Sequence, residues 1–403
     1  MTVCLHKKLI GTDLHLVSEG DEFRWTREVP KNAWLCGFSD DHPLSIDALS
    51  SATDREIQTL PSEAYSTMWN TLREKGSDSV PWHYALGGAR FQAHLKQLLY
   101  KIQRLLEVYC DSYYTNEFVT IRRFLQGLVR CRVDSQAVTK ILSDKSQRSG
   151  SLSSFLPEGD GLLSRPVYSQ VASCSGRLTV TKGPSILTLR KDRRSLLRSS
   201  KKDGTIVQID FVSLEPRVAL SVAGHESPAD IYEDIRENVL GGCVSRKVAK
   251  IATISSLYGM SARKLSEMVG LKSESEAREV LKKIRGHFQI RCLERELNKS
   301  VISDGFIKSH YGRIMNIDDS SNHILVNRFI QSTATDAALL GFQKLVDEIQ
   351  NNGISADPVF VIHDALIFDV EKYDLEKLSQ FVKNPISLPG LSGDFPIALE
   401  IIS

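Results

Sequence analysis

The sequence predicts an α+β fold, and two observations carry that prediction. Two β-rich runs each contain an aspartate: Gly204 to Phe211 holds Asp210, and Pro358 to Val370 holds Asp364. Between them lies a long series of segments with apolar residues at helical spacing, so helices are inserted between strands that each present a carboxylate. At 403 residues the chain is long enough for two or three domains. Its 41% apolar and 25% charged fractions are those of an ordinary globular protein. No stretch approaches the length of a membrane span. The net charge of +2 points to no polyanionic partner, so any such partner has to be sought in where the basic residues lie.

Residues 1–82 are mixed in pattern and carry no assignable motif, so they are set apart as an N-terminal extension. The N-terminus lacks a signal-peptide-like apolar core. The seven cysteines are scattered, odd in number and without a C-x-x-C pair, which predicts free thiols in a reducing compartment. A cytoplasmic location is expected. Residues 83–142 read as mostly helical: Phe91, Leu95, Leu98, Leu99, Ile102, Leu105 and Leu106 recur at helical spacing, and the other face carries Arg90, Lys96, Lys101 and Arg104. Such a helix is more often a plain surface element than a grip on nucleic acid. From Ser143 to about Leu163 the composition is that of a linker or loop. The basic run of Arg190, Lys191, Arg193, Arg194, Arg198, Lys201 and Lys202 suits a solvated loop or, alternatively, a phosphate-contacting surface. Helices are expected at about 212–223, 244–256, 261–269, 274–300 and 327–350, and no internal repeat is apparent.

Two aspartates on separate strands suit a site for two hard cations. Mg²⁺ takes oxygen ligands, usually one or two protein carboxylates plus substrate phosphates. Two such ions roughly 3.5–4 Å apart can stabilise both the attacking and the leaving oxygens of a phosphoryl transfer. Either aspartate alone is as readily a turn cap. In the segment SRKVAKIATISSLYG, positions 246, 250, 254 and 258 follow one another at i,i+4 and line one helix face. Arg246 and Lys250, one turn apart, make a clamp for a triphosphate. On this segment alone, that clamp and a solvated helix face stand about even.

The order of the motifs carries a resemblance. DFVSLEPRVAL (210–220) is similar to the D-Y-S-x-x-E-x-R motif of family A DNA polymerases, the DNA polymerase I type. RKVAKIATISSLYG (246–259) resembles their R-x-x-x-K-x-x-x-F/Y-x-x-x-Y-G helix, and VIHDALIFDV (361–370) their V-H-D-E motif. SGRLTV (175–180), HYGR (310–313) and NRFIQSTATDAAL (327–339) resemble three further segments in the family's order. The likeness runs from about residue 160 to the end. It implies a right-hand architecture: a helical thumb-like region at 83–150, a palm at 151–225 and 319–403, and fingers at 226–318.

The resemblance also implies roles. Asp210 and Asp364 match the two metal-binding acids, with the backbone carbonyl of Phe211 as a further ligand. The cofactor implied is a pair of Mg²⁺ ions, with Mn²⁺ as a substitute. Arg246 and Lys250 match the residues that hold the nucleotide phosphates. Tyr258 and Gly259 match the place where the nascent pair and template base stack. Arg177, Asn327, Gln331 and His363 match residues that feel the minor groove near the primer end, where the acceptors are similar for all correct pairs. Arg313 joins this DNA-contact set. Glu215 matches the acid that crowds the sugar 2′ position, which implies deoxynucleotide substrates.

The chain departs from the family at several points. Ile254 stands where an aromatic residue faces the incoming nucleotide, which bears on affinity and sugar preference. Tyr232 falls where a His usually reaches the phosphates. Ala365 replaces the acid after the second catalytic Asp, and Pro216 follows Glu215 in place of Leu. The region before the linker is too short for both a thumb and a proofreading exonuclease, and Asp13, Asp21, Asp40 and Asp41 form no exonuclease pattern. A compact, phage-like form without proofreading is therefore expected, in the host cytoplasm if phage-encoded. Its expected partners are primer–template DNA and dNTPs, with any exonuclease, clamp or helicase/primase as separate subunits. Two alternatives are a single-subunit RNA polymerase, which Glu215 opposes, and a catalytically dead polymerase-shaped binding protein, which retention of Asp210, Asp364, Arg246 and Lys250 opposes. Replication and gap filling are not separated by sequence.

Overall fold

The computed structural model describes residues 1–10, 12–20, 22–37, 42–55, 57, 88–144, 150–271, 273–317 and 322–403. Asp21, Asp40 and Asp41, and the expected start of the helical region at 83–87, lie outside these residues. The chain divides into two compact units, Met1–Gln126 and Gly127–Ser403. The segment drawn from sequence at 83–150 straddles that division.

In the first unit, β1 (Thr2–Leu5) runs antiparallel to β2 (His15–Glu19), which pairs antiparallel with β3 (Glu22–Thr26). On its other side β1 pairs in parallel with β4 (Trp34–Cys36), giving the order β3-β2-β1-β4. Cys4, Val17, Ala33 and Leu35 form a buried cluster on this sheet. Strands this short show too few alternations to be read from sequence. Helix α1 (Ile46–Ala52) is capped by Ser45, whose hydroxyl accepts from the Ala48 amide at 3.2 Å. In α2 (Gly88–Val108), Leu95, Leu98, Leu99, Ile102, Leu105 and Leu106 are the buried stripe. Helix α3 (Glu117–Gln126) ends the unit.

The second unit opens with α4 (Ser135–Ser143), capped by Asp134. The stretch to 163 has the composition of a linker, yet Leu152, Phe155 and Leu163 are buried there and a 3₁₀ turn forms at Gly150–Phe155. Three apolar anchors in a polar run are enough to fasten it to the core. Of the two readings its composition allowed, linker or loop, the described residues 150–163 form an anchored loop. Strands β5 (Val167–Ser169) and β6 (Thr179–Lys182) form a small ribbon, followed by β7 (Gly204–Phe211) and α5 (Leu214–Val222). Pro216 sits in the first turn of α5, where its missing amide hydrogen breaks no intrahelical bond. Helices α6 (Arg246–Leu257), α7 (Ala262–Val269), α8 (Glu274–His287) and α9 (Ile290–Asp304) follow. The single helix expected over 274–300 is two helices, because Gln289 adopts a left-handed φ of 49° and breaks the hydrogen-bond ladder.

A hairpin of β8 (Phe306–Lys308) and β9 (Ile314–Asn316) leads into α10 (Asn322–Asn351), 30 residues and about 45 Å long at 1.5 Å per residue. Strands β10 (Ala356–Ile362) and β11 (Ala365–Glu371), helix α11 (Leu375–Phe381) and strand β12 (Ile397–Ile401) complete the unit. The main sheet is antiparallel throughout, in the order β10-β11-β7-β12. Central strand β7 is buried on both faces, and its polar Thr205 and Gln208 are buried with its apolar residues. The single strand expected over 358–370 is in fact the β10–β11 hairpin, turned at His363 and Asp364. His363 takes φ 55° there, a conformation that no hydrophobic pattern reveals.

Arg313, expected from the resemblance among the DNA contacts, is instead inside the protein. Its side chain is 4% exposed against 0% for Asp336, and the two form a bidentate pair at 2.6 and 3.1 Å. Its remaining Nη1 donates to the Gln170 carbonyl at 3.0 Å. Gly176 (φ 72°) rides over the guanidinium, where a Cβ would stand 2.6 Å from Nε. A guanidinium so enclosed and so fully engaged serves to hold elements together, which corrects the DNA-contact assignment. Removing one partner of such a pair leaves an uncompensated buried charge, at a cost of about 3–5 kcal/mol. Asp336→Ala should therefore lower the unfolding free energy by about that amount in urea titration, and a change below about 1 kcal/mol would contradict this account.

Candidate functional site

A cleft of about 520 Å³ opens beside the end of β7. Its floor holds Asp210 and Phe211 from β7 and the β10–β11 turn with His363 and Asp364. The Phe211 amide donates to the Asp364 carbonyl at 3.1 Å, and Ala365 and Ala398 flank Asp210 in register. Strand pairing thus brings together two acids that are 154 residues apart (364 − 210). Ser213, between β7 and α5, takes φ 59°, so each acid is followed or preceded within three residues by a non-glycine residue in the left-handed region. Such positions cost of order 1–3 kcal/mol each and collect at functional sites.

Asp210 is the most perturbed group in this cleft. Burial, followed by repulsion from Asp364, pushes its carboxyl from an ordinary 3.8 up to about 7, against opposing attraction from Arg194 and Lys191. Its Oδ1 is enclosed and accepts no hydrogen bond. A buried carboxylate oxygen without a donor, next to a second carboxylate, is unfavourable until a cation joins it. Among the described residues no group of three or more His, Cys, Asp and Glu gathers as a metal cage. Two carboxylates fit a cation that completes its shell with substrate oxygens and water, as Mg²⁺ does.

One wall of the cleft carries Arg177, Glu215, Ile254 and Gln331 around the hydroxyl of Tyr258. That hydroxyl donates to Glu215, with 2.9 Å to both carboxylate oxygens, and accepts from Arg177 at 3.2 Å and Gln331 at 3.4 Å. Arg177 also approaches Glu215 at 3.6 Å. Ser175 donates to the Gln331 side-chain oxygen at 2.9 Å, which fixes the amide to donate toward Tyr258. Burial raises the Glu215 carboxyl, against the lowering by Tyr258 and Arg177. Burial also raises the Tyr258 hydroxyl, reinforced by Glu215, and lowers His363, against Asp364.

The same helix also supplies cations. Arg246, Lys250, Ile254 and Tyr258 are all exposed along one face of α6 and its C-cap, while Ala249, Ala252 and Thr253 are buried behind. Ile254 is 37% exposed and lines the cleft without a partner ring. Lys250 lines it too; Arg246 is paired with Asp230 at 2.9 Å. Tyr232 is buried beneath both cations. Gly259 (φ 70°) ends the turn after Tyr258. Asn327 lies one helical turn before Gln331 on α10 and does not line the cleft.

Sequence reasoning missed Ser175, Ser213, Asp230 and Asp336, and set aside Arg194 within its basic run. Most of that run is matched inside the protein: Arg190 to Asp192, Lys191 to Glu400, Arg198 to Asp134 and Lys201 to Asp357. Arg194 donates to Gln208, two residues before Asp210 on the same strand face, at 2.6 Å. Tyr168 also escaped notice; its buried hydroxyl bridges the Val361 amide and carbonyl at 3.0 and 2.9 Å and pins the edge strand leading to His363. For Asp336 a signal was at hand, since it lies within the segment NRFIQSTATDAAL. For the others, the partners are too distant in sequence.

Because the folded protein binds the Asp210 proton more tightly than the unfolded chain, that carboxyl contributes stability at low pH that is lost as pH rises toward 7. In chelator, Asp210→Asn should gain on wild type in urea midpoint between about pH 4 and 7 and then hold a constant lead. Parallel pH profiles for the two proteins would remove the buried, repelled carboxyl.

Comparison with known proteins accords with this geometry. The model of DNA polymerase family A matches residues 164–400. DNA polymerase I of Aquifex aeolicus is 22% identical over 258 residues, covering 59% of this chain and 45% of that protein. DNA polymerase I of Rhizobium leguminosarum is 25% identical over 312 residues, covering 68% and 30%. The chain thus spans less than half the length of these relatives. A solved structure, the POL domain of Pol1 from M. smegmatis in complex with DNA primer-template and dNTP, superposes with a TM-score of 0.55 at 15% identity over 91% of this chain and 78% of that one. With a family match over more than half its length, the chain belongs to DNA polymerase family A.

Proposed function

We propose that this protein is a template-directed DNA polymerase that adds dNTPs to a primer 3′-hydroxyl. The observation that carries the reading is the pair of carboxylates, Asp210 and Asp364, set on the floor of a cleft lined by Lys250, with Arg246 one helical turn before it on α6. Acids and cations facing one cleft suit a substrate that brings both metal ions and phosphates. Asp210, Asp364 and the Phe211 carbonyl would hold the divalent cations, Mg²⁺ or Mn²⁺. Such ions, when bound, neutralise charge at the attacking hydroxyl and the leaving pyrophosphate.

The chain's own residues have the remaining tasks. Lys250 and Arg246 bind the triphosphate, Arg246 by exchanging Asp230 for phosphate. Glu215 stands where a 2′-hydroxyl would intrude and is held in place by Tyr258 and Arg177. Release of Tyr258 from Glu215 would open room for a base pair against Ile254. Arg177, Gln331 and His363 border the carboxylate end of the cleft, where the primer terminus and its minor groove would lie. In this reading the β10-β11-β7-β12 sheet is the palm and α6 to α9 the fingers. The DNA primer-template and dNTP named for the M. smegmatis structure are the partners such a site would take. Proofreading is proposed absent, and degradation of a mismatched primer end by the purified protein would remove that part.

Primer extension with Mg²⁺ tests the reading. Wild type should extend only templated ends, and Asp364→Asn should lose at least roughly a hundredfold, beyond the usual effect of an outer-shell change. Untemplated addition, or equal activity in the variant, would overturn it. Glu215→Ala should raise ribonucleotide incorporation by roughly ten- to a hundredfold, the scale on which a pocket rejects one added hydroxyl. Sugar discrimination that stays unchanged would take that role from Glu215.

A further inference from the structure

We propose that Tyr232 is a positioning residue for the nucleotide triphosphate, acting through Arg246 and Lys250 and not by touching the phosphates itself. The inference rests on the polymerase reading and assigns the side chain that sets its phosphate clamp. Tyr232 is the second residue of a helical turn, Ile231–Asp234, whose N-cap Asp230 accepts from the Tyr232 and Glu233 amides at 3.0 and 3.1 Å. Arg246 and Lys250 stand one turn apart on α6, so both reach the same place. That place is the Tyr232 ring: Cζ of Arg246 lies 5.6 Å and Nζ of Lys250 lies 5.5 Å from its centroid.

The ring suits this task in a way a carboxylate does not. An aromatic face attracts a cation without neutralising it, so both positive charges remain available to an anion in the cleft. Asp230 adds the directional half of the cradle, accepting from Arg246 Nε at 2.9 Å and Nη2 at 3.1 Å. Tyr232 borders the cleft but offers it little surface. It is 5% exposed and packs in the cluster that includes Leu220, Ile235 and Ala249. Its hydroxyl lies beside Ser213, the left-handed residue between Asp210 and Glu215, while its ring is what the two cations meet.

The test measures dNTP KM and kcat in primer extension, with calorimetric titration of inorganic pyrophosphate beside it. Tyr232→Leu should raise KM and the pyrophosphate Kd by roughly tenfold, the scale of two cation–aromatic contacts, with kcat little changed. Tyr232→Phe, which keeps the ring, should rescue both. In an Arg246→Ala background the increment from Tyr232→Leu should shrink, because one of its two clients is gone. A Tyr232→Phe variant as impaired as Tyr232→Leu, an equal increment in both backgrounds, or a loss confined to kcat would each overturn the proposal. Should Tyr232→Leu fail to fold, Tyr232→Phe decides alone. Wild type that binds pyrophosphate but extends no primer would sink the polymerase reading and leave the pyrophosphate arm to judge this one.

Discussion

The buried pair of Arg313 and Asp336 is the contact on which the cleft depends. It joins the β8–β9 hairpin to α10, and through Gln170 and Gly176 it holds the turn that presents Ser175 and Arg177. Ser175 then orients Gln331, and Arg177 and Gln331 both reach Tyr258. A guanidinium with no water to fall back on tolerates few alternative geometries. The precision of the wall around Glu215 is inherited from a charge pair that never meets the substrate cleft.

The cleft is polarised. Its floor brings together Asp210 and Asp364, and its α6 side presents Lys250, with Arg246 one turn before it. Asp230 offsets only Arg246. Between the two poles, Tyr258 and Glu215 form a neutral-to-anionic partition held by hydrogen bonds at the protein's own expense. A ligand that carries cations at one end and phosphates at the other completes the pattern better than either alone. The backbone contributes as well, since His363 and Ser213 hold strained conformations beside the acids.

Much of this was legible before any coordinates. Strand β7 was readable because Ile206, Val207, Ile209 and Phe211 fall in one short β-rich run, and α6 because Arg246, Lys250, Ile254 and Tyr258 keep a four-residue step. The order of six motifs located Asp210 and Asp364. What escaped were features set by single dihedrals or by distant partners. The turn at His363 and the break at Gln289 are single left-handed residues, which leave no mark on the hydrophobic pattern. Arg313 looked like a surface cation because its partner lies 23 residues away on another element. The basic run left both a solvated loop and a phosphate surface open because the acids that pair with it, Asp134, Asp357 and Glu400, are remote in sequence. The sheet of the first unit is built from strands of three to five residues, too short to declare a period.

The enclosed oxygen of Asp210 has a consequence for how the site takes up a cation. With its carboxyl pushed up to about 7, a proton would compete with any cation held there near neutrality. On the proposed reading a cation would enter as that proton leaves, so its apparent affinity would climb with pH until the proton is gone. The same proton would offset the repulsion between the two carboxylates until a cation took its place.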